Sequence, residues 1–200
     1  VIRWPFGAGP PGFPLPCTPP SPQRPRPARQ QDEGRPGPLP PHPLNQETLL
    51  FEPAVPEAGA LRAVLAFPST YSVGITSLGF QVVWAALARR ADVDVRRLFT
   101  DAADPPHGGS RGRGPTLDLF GLSLSWELDG PVLLDLLDGQ RIPRWSHQRG
   151  DGDPIVFGGG PVLTANPEPL APFLDAVLLG DGEQLLPAFL DALQACRHLP

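Results

Sequence analysis

The stretch Pro154-Ile155-Val156-Phe157-Gly158-Gly159-Gly160-Pro161 decides how the chain is read. Three apolar residues run directly into three glycines and a proline. An unbroken apolar run bounded by turn residues reads as a strand buried on both faces, which is the habit of parallel sheets. The glycines after it leave room for something to approach the backbone closely. Similar units flank it: Asp118-Leu119-Phe120-Gly121-Leu122-Ser123-Leu124-Ser125 before, and Ala176-Val177-Leu178-Leu179-Gly180-Asp181-Gly182-Glu183 after. Three strand-then-small-residue units in series point to a parallel sheet with a site along one edge.

Outward from these units the rest of the domain follows. Residues 61–67 read as a first strand stopped by Pro68, and residues 69–77 as a hydroxyl-rich loop whose Ser77 is a plausible helix N-cap. A helix over 78–90 follows, with Leu78, Val82, Val83, Ala86 and Leu87 on one face, and then a second strand over 93–99. Residues 100–116 are polar and rich in Gly and Pro, a poor helix where a crossover is normally helical. The third strand spans 117–124 and a helix 128–137, with Pro131 in its first turn. Residues 142–145 read as a short extended piece, 155–157 as the fourth strand, and 161–169 as a loop before a helical turn at 170–173. The fifth strand spans 176–179, and a last helix runs over 184–195 with Leu185, Leu186, Phe189, Leu190 and Leu193 apolar.

Strands alternating with helices predict an α/β fold: a three-layer, Rossmann-like or flavodoxin-like parallel sheet in the order 2-1-3-4-5. Three regions follow. Residues 1–45 are a Pro/Gly/Arg-rich segment expected to be disordered, 46–60 are a lead-in, and 61–200 are the α/β domain. Fifteen of the 30 prolines lie at or before Pro43. Within that tract Gly7-Ala8-Gly9-Pro10-Pro11-Gly12 matches a dinucleotide fingerprint, but no strand precedes it and prolines fill the turn. The physical context of that fingerprint is therefore missing.

The chain has no Met and no Lys, so its 16 basic residues are all Arg. Net charge is −5, and residues 51–200 alone carry 11 Arg against 18 acids, net −7. That sign argues against nucleic acid as a partner. Cys17 and Cys196 make no metal-ligand spacing and require no oxidising compartment. No apolar run reaches transmembrane length, so a cytoplasmic protein with no membrane span is the expectation.

Ligands of such sheets bind outside the carboxyl ends of the strands, here residues 68–74, 123–127, 158–161 and 180–183. Ser123 and Ser125 share one face by period-2 alternation, and either can bond a ligand or cap the following helix. There is no nucleophile elbow, no phosphate loop with its lysine, and no zinc or iron–sulfur ligand set; the four His are scattered at 42, 107, 147 and 198. No catalytic or metal-ligating residue is therefore assigned. A hydroxyl-rich Pro68-Ser69-Thr70-Tyr71 leaves open a free-standing flavodoxin-like nucleotide protein.

Phe67-Pro68-Ser69-Thr70-Tyr71-Ser72-Val73-Gly74-Ile75-Thr76-Ser77-Leu78-Gly79 resembles the opening of the N-terminal domain of radical S-adenosylmethionine (SAM) proteins that carry a cobalamin-binding-type domain. Residues 120–128, 158–161 with 166–170, and 175–183 are similar to that family's third-strand, fourth-strand and closing motifs, and the wording is nearest to cyanobacterial members. The resemblance implies that Ser69, Thr70, Tyr71, Gly74, Ser123, Ser125, Gly158, Gly159, Gly160 and Gly182 contact cobalamin or face a catalytic barrel. It further implies a [4Fe–4S] cluster and S-adenosylmethionine in that barrel, beyond this chain, acting on a small-molecule substrate. Two departures accompany it. The axial-His loop of methionine-synthase-like proteins, Asp-x-His-x-x-Gly, is here Asp104-Pro105-Pro106-His107-Gly108-Gly109, with His one position late. The Cys-x-x-x-Cys-x-x-Cys that holds the cluster does not occur. This piece is thus expected to be an N-terminal fragment, not catalytic by itself. The alternative is a docking domain that binds no cobalamin and packs on the barrel.

Overall fold

The computed structural model describes residues 43–105 and 117–196. The tail up to residue 42, with its fingerprint match, and the His107 loop lie outside the described residues. Five strands form one sheet: β1 (Leu61–Ala66), β2 (Val93–Leu98), β3 (Leu119–Ser123), β4 (Ile155–Gly159) and β5 (Ala176–Leu178). All pairings are parallel, and the order is β2-β1-β3-β4-β5, as the sequence predicts. Helices lie on both faces, so the fold is the three-layer α/β sandwich expected of alternating elements.

Period-2 alternation sends each strand's side chains to two separate cores. On one face Leu65, Phe67 and Phe157 pack beneath α2 (Leu78–Ala88) and α5 (Gly182–Cys196). This core is aromatic: Phe80 lies edge-on to Phe67 at 5.5 Å and tilted to Phe99 at 5.3 Å. On the other face Val64, Phe120, Leu122 and Val156 pack beneath α3 (Asp129–Gly139) and α4 (Pro161–Ala165), a core built mainly of leucine. β1 and β3 are buried along almost their whole length, which explains their unbroken apolar runs.

Three local readings shift. The face of α2 that is buried is Phe80, Trp84, Leu87 and Ala88, whereas Leu78 is 76 % exposed. Nearly every residue of this helix is apolar, so spacing alone does not choose a face. The expected loops at 69–77 and 161–169 each contain a short helix, α1 (Tyr71–Gly74) and α4, the latter started by Pro161 at its first position. Residues 142–145 form no strand; a 3-10 turn at Ser146–Gln148 follows them.

The amino edge of the sheet is tied by ion pairs. The Arg62 Nε donates to Asp118 Oδ2 at 3.0 Å, joining the starts of β1 and β3. Arg149 grips Asp175 through Nε and Nη2 (2.9 and 3.0 Å), and Asp175 Oδ2 also accepts the Val156 N–H at 2.8 Å, joining β4 and β5. Arg90 binds Asp92 just before β2 and reaches Asp191 of α5. The carboxyl edge lacks such ties along β1, β3, β4 and β5 among the described residues.

Candidate functional site

The chain leaves β1 for α2 on one face of the sheet and leaves β3 for α3 on the other, so the connections part at the carboxyl ends of these neighbouring strands. Crevices of doubly wound sheets open at such a point. Here a cleft of about 670 Å³ opens there, on the α2/α5 face. Its floor is apolar: Leu65 from β1, Phe157 from β4, Leu178 from β5, Val83 from α2 and Leu186 from α5. Hydroxyls of Ser77, Ser123, Ser125 and Thr164 stand around it, and Asp181 and Glu183 supply its charge. Among the described residues, no arginine or histidine lines it. Size and lining match a small-molecule site: largely apolar, with a few polar groups to orient a ligand.

The register explains the hollow. Leu65, Gly121 and Phe157 are neighbours across β1, β3 and β4, and a Cβ on Gly121 would meet the Phe157 ring at 2.6 Å. One step further along, Ser123 pairs with Gly159. Two small residues therefore follow a large ring on the same face, and the sheet surface drops away.

Of the ten residues singled out from sequence, Ser123, Ser125, Gly159, Gly160 and Gly182 line this cleft. Their glycines differ in role. A Cβ on Gly159 would meet nothing closer than the Leu178 carbonyl oxygen at 3.5 Å, so its bareness leaves the floor open. Gly160 has φ +116° and would press a Cβ into the Leu124 carbonyl oxygen, so it serves the chain's own crossing. Gly182 lets α5 start against α2, where a Cβ would meet Val83 Cγ2 at 2.8 Å.

Ser69, Thr70, Tyr71, Gly74 and Gly158 stand outside the lining. Gly158 faces the opposite core, with Leu163 Cδ1 and Leu174 Cδ1 at 2.7 and 3.0 Å from where its Cβ would lie. Gly74 is packed under the Phe99 and Phe67 rings. Ser69 donates its N–H to the Phe67 carbonyl at 2.8 Å, and the Thr70 hydroxyl lies 3.1 Å from that of Ser72. The Tyr71 hydroxyl donates to Glu47 Oε1 at 2.8 Å, and its ring is edge-on to Phe99 at 5.4 Å. Burial, then the Glu47 carboxylate, raise the Tyr71 pKa above its ordinary 10.0.

Sequence reasoning missed the apolar floor and the two carboxylates. Asp181 and Glu183 alternate with the glycines of residues 180–183, and nothing in that spacing marks them as lining. It also missed Asp129, whose carboxylate accepts the N–H groups of Ser125 and Trp126 at 3.0 and 2.9 Å and is only 9 % exposed. That bond fixes the turn carrying Ser125 and projects Trp126 outward, 66 % exposed. Leu78, Leu128, Val73 and Leu179 are likewise exposed in the segments that follow the carboxyl ends of β1, β3 and β5.

Residues 79–199 match the family described as radical SAM proteins, N-terminal. The chain belongs to this family. The match takes in α2, β2, β3, β4, β5 and α5, and with them nearly all of the cleft's lining. No curated protein matches the chain. As a radical SAM N-terminal domain, the chain shows among its described residues no group of three or more His, Cys, Asp or Glu able to hold a metal ion, and none of its helices is long and apolar enough to cross a membrane.

Proposed function

We propose that this radical SAM N-terminal domain is a cobalamin-binding-type module and that its cleft receives part of the corrinoid. The observation that carries the reading is the hollow itself: an apolar floor with four hydroxyl-bearing residues, opening where the connections from β1 and β3 part. The residues fit a flat, weakly polar organic group. Leu65, Phe157 and Leu186 would pack against it, Ser123 and Ser125 would bond its polar rim, and Gly159 would let it lie close to the backbone. Among the described residues no imidazole lines the cleft, so none of these would ligate the cobalt. A bound cobalamin would supply alkyl-transfer or radical chemistry. A [4Fe–4S] cluster and S-adenosylmethionine would belong to the catalytic barrel of the full protein, acting on a small-molecule substrate.

The lining charge favours a corrin ring over the terminal phosphate of a flavin mononucleotide in this cleft. Glu183 stands in the first turn of α5 and Asp181 just before it, where a phosphate would otherwise be welcomed, and no arginine among the described residues lines the cleft beside them. Titration with hydroxocobalamin tests the proposal. We expect a shift of the visible bands, co-elution on gel filtration, and loss of both in Ser123→Phe, which fills the cleft. No band shift and no retention at high micromolar cofactor would overturn it. The second reading, a docking domain without cofactor, is favoured by the exposed apolar side chains of Leu78, Trp126, Leu128 and Leu179, each just past the carboxyl end of a strand. It predicts that Trp126 emission changes when the catalytic part of the protein is added, whether or not cobalamin is present.

A further inference from the structure

The lead-in segment lies outside the family match, yet it makes the most enclosed ionic contact at the carboxyl edge. The Arg97 side chain, at the end of β2, is only 4 % exposed. Its Nη1 and Nη2 donate to the two oxygens of Glu47 at 3.0 and 2.7 Å. Its Nε and Nη2 donate to Asp104 at 3.1 and 3.0 Å, and Asp104 Oδ2 also accepts the Arg97 backbone N–H at 2.7 Å. The guanidinium lies 4.0 Å from the centre of the Trp84 ring of α2. One buried cation is thus forked between two carboxylates and stacked on an indole, the arrangement for which arginine is suited and lysine is not.

Glu47 is shared. The oxygen that accepts from Arg97 Nη1 also accepts the Tyr71 hydroxyl at 2.8 Å. The Tyr71 N–H in turn donates to Asp101 Oδ1 at 2.6 Å, three residues before Asp104. Four separate pieces of chain meet here: the lead-in, the Ser69–Gly74 turn, the end of β2 and residues 101–105.

We infer that residues 44–52 form a strap whose Glu47 latches onto Arg97 and through Tyr71 sets the conformation of the Ser69–Gly74 turn. Arg97 is a positioning residue in this device. It reaches the turn only through Glu47, so the strap is the part that can engage or release. Leu44, buried, and Phe51, edge-on to Trp84 at 5.3 Å, anchor the strap on either side of the latch. The inference stands independently of what the cleft binds.

Tyr71 is the chain's single tyrosine, so the latch reports on itself. The charged groups that bear on its hydroxyl are Glu47, Arg97 and Asp104. Ultraviolet titration of the full chain should show Tyr71 ionising above the ordinary 10.0 and, in Glu47→Ala, ionising at lower pH. Amide exchange across residues 69–74 should quicken about tenfold or more in that variant, as a bond to a charged group is lost, with β3 and β4 unchanged. Tyr71→Phe approaches from the other side. It keeps the ring on Phe99 and removes only the bond to Glu47, and exchange in the strap should quicken. Tyr71 titrating alike in wild type and Glu47→Ala, or strap exchange unmoved in Tyr71→Phe, would overturn the latch.

Discussion

Gly158, Gly159 and Gly160 look equivalent as letters, yet the structure gives them three different reasons to be glycine. Gly158 makes room for leucines of the α3/α4 core, Gly159 keeps the cleft floor bare, and Gly160 crosses the Leu124 carbonyl at positive φ. Gly160→Ala should therefore cost about 2–4 kcal/mol, combining backbone strain with a clash against rigid main chain. Gly159→Ala should cost under about 1 kcal/mol, because its methyl meets only ordinary contacts. Urea unfolding of the two variants checks the contrast. The sequence showed that something approaches this loop closely. It did not show that for two of the three glycines the approaching group is the protein's own chain, since that depends on which strand face each position takes.

At the scale of elements, α3 shows how a helix start can serve the loop before it. Asp129, the only acid in the first turn, sends its carboxylate back to the N–H groups of Ser125 and Trp126. Asp129→Ala should leave two amides without this acceptor and cost about 1–3 kcal/mol in urea unfolding, with faster exchange at Ser125 and Trp126 and little change in β1. Asp129→Asn retains an acceptor oxygen and should lose less. The sequence places the helix to within two residues but not its first-turn acid, since Glu127 stands two positions before Asp129. Two acids two positions apart are indistinguishable until the turn that precedes them is known. The apolar face of α2 escaped for a related reason: where Leu78, Val82 and Val83 compete with Phe80 and Trp84, tertiary packing decides which are buried.

At the scale of the whole molecule, ion pairs and hollow are segregated among the described residues. Ion pairs gather where strands begin and the cleft lies where they end, with the Arg97 cluster at the outer strand as the exception. The pairs at the amino edge should govern acid stability. Arg90, by hydrogen bonding first and by its charge as well, holds the Asp92 carboxyl below the usual 3.8. A carboxyl depressed on folding stabilises the fold fully above its unfolded pKa, and that contribution is lost as pH falls through the lower folded value. The pair is partly exposed, so the contribution is about 0.5–1 kcal/mol. Asp92→Asn should lower the unfolding free energy from urea titration at pH 7 by that amount and lose stability less steeply than the wild type as pH falls below the usual 3.8. Strand order and layer count were legible in the sequence because buried parallel strands write themselves as apolar runs ending in small residues. The ion pairs were not, because Arg62 and Asp118, or Arg149 and Asp175, are neighbours only once the sheet is assembled.

The central position of β1 bears on where this chain can be cut. The family match opens at residue 79, inside α2, whereas β1 supplies six register positions to β2 and four to β3. A piece trimmed to the matched span would leave β2 and β3 with facing rows of unpaired amides and carbonyls and a gap the width of one strand. Such raw edges recruit other chains. The recurring sequence unit and the smallest self-sufficient body are therefore different objects, and the second begins upstream of the first.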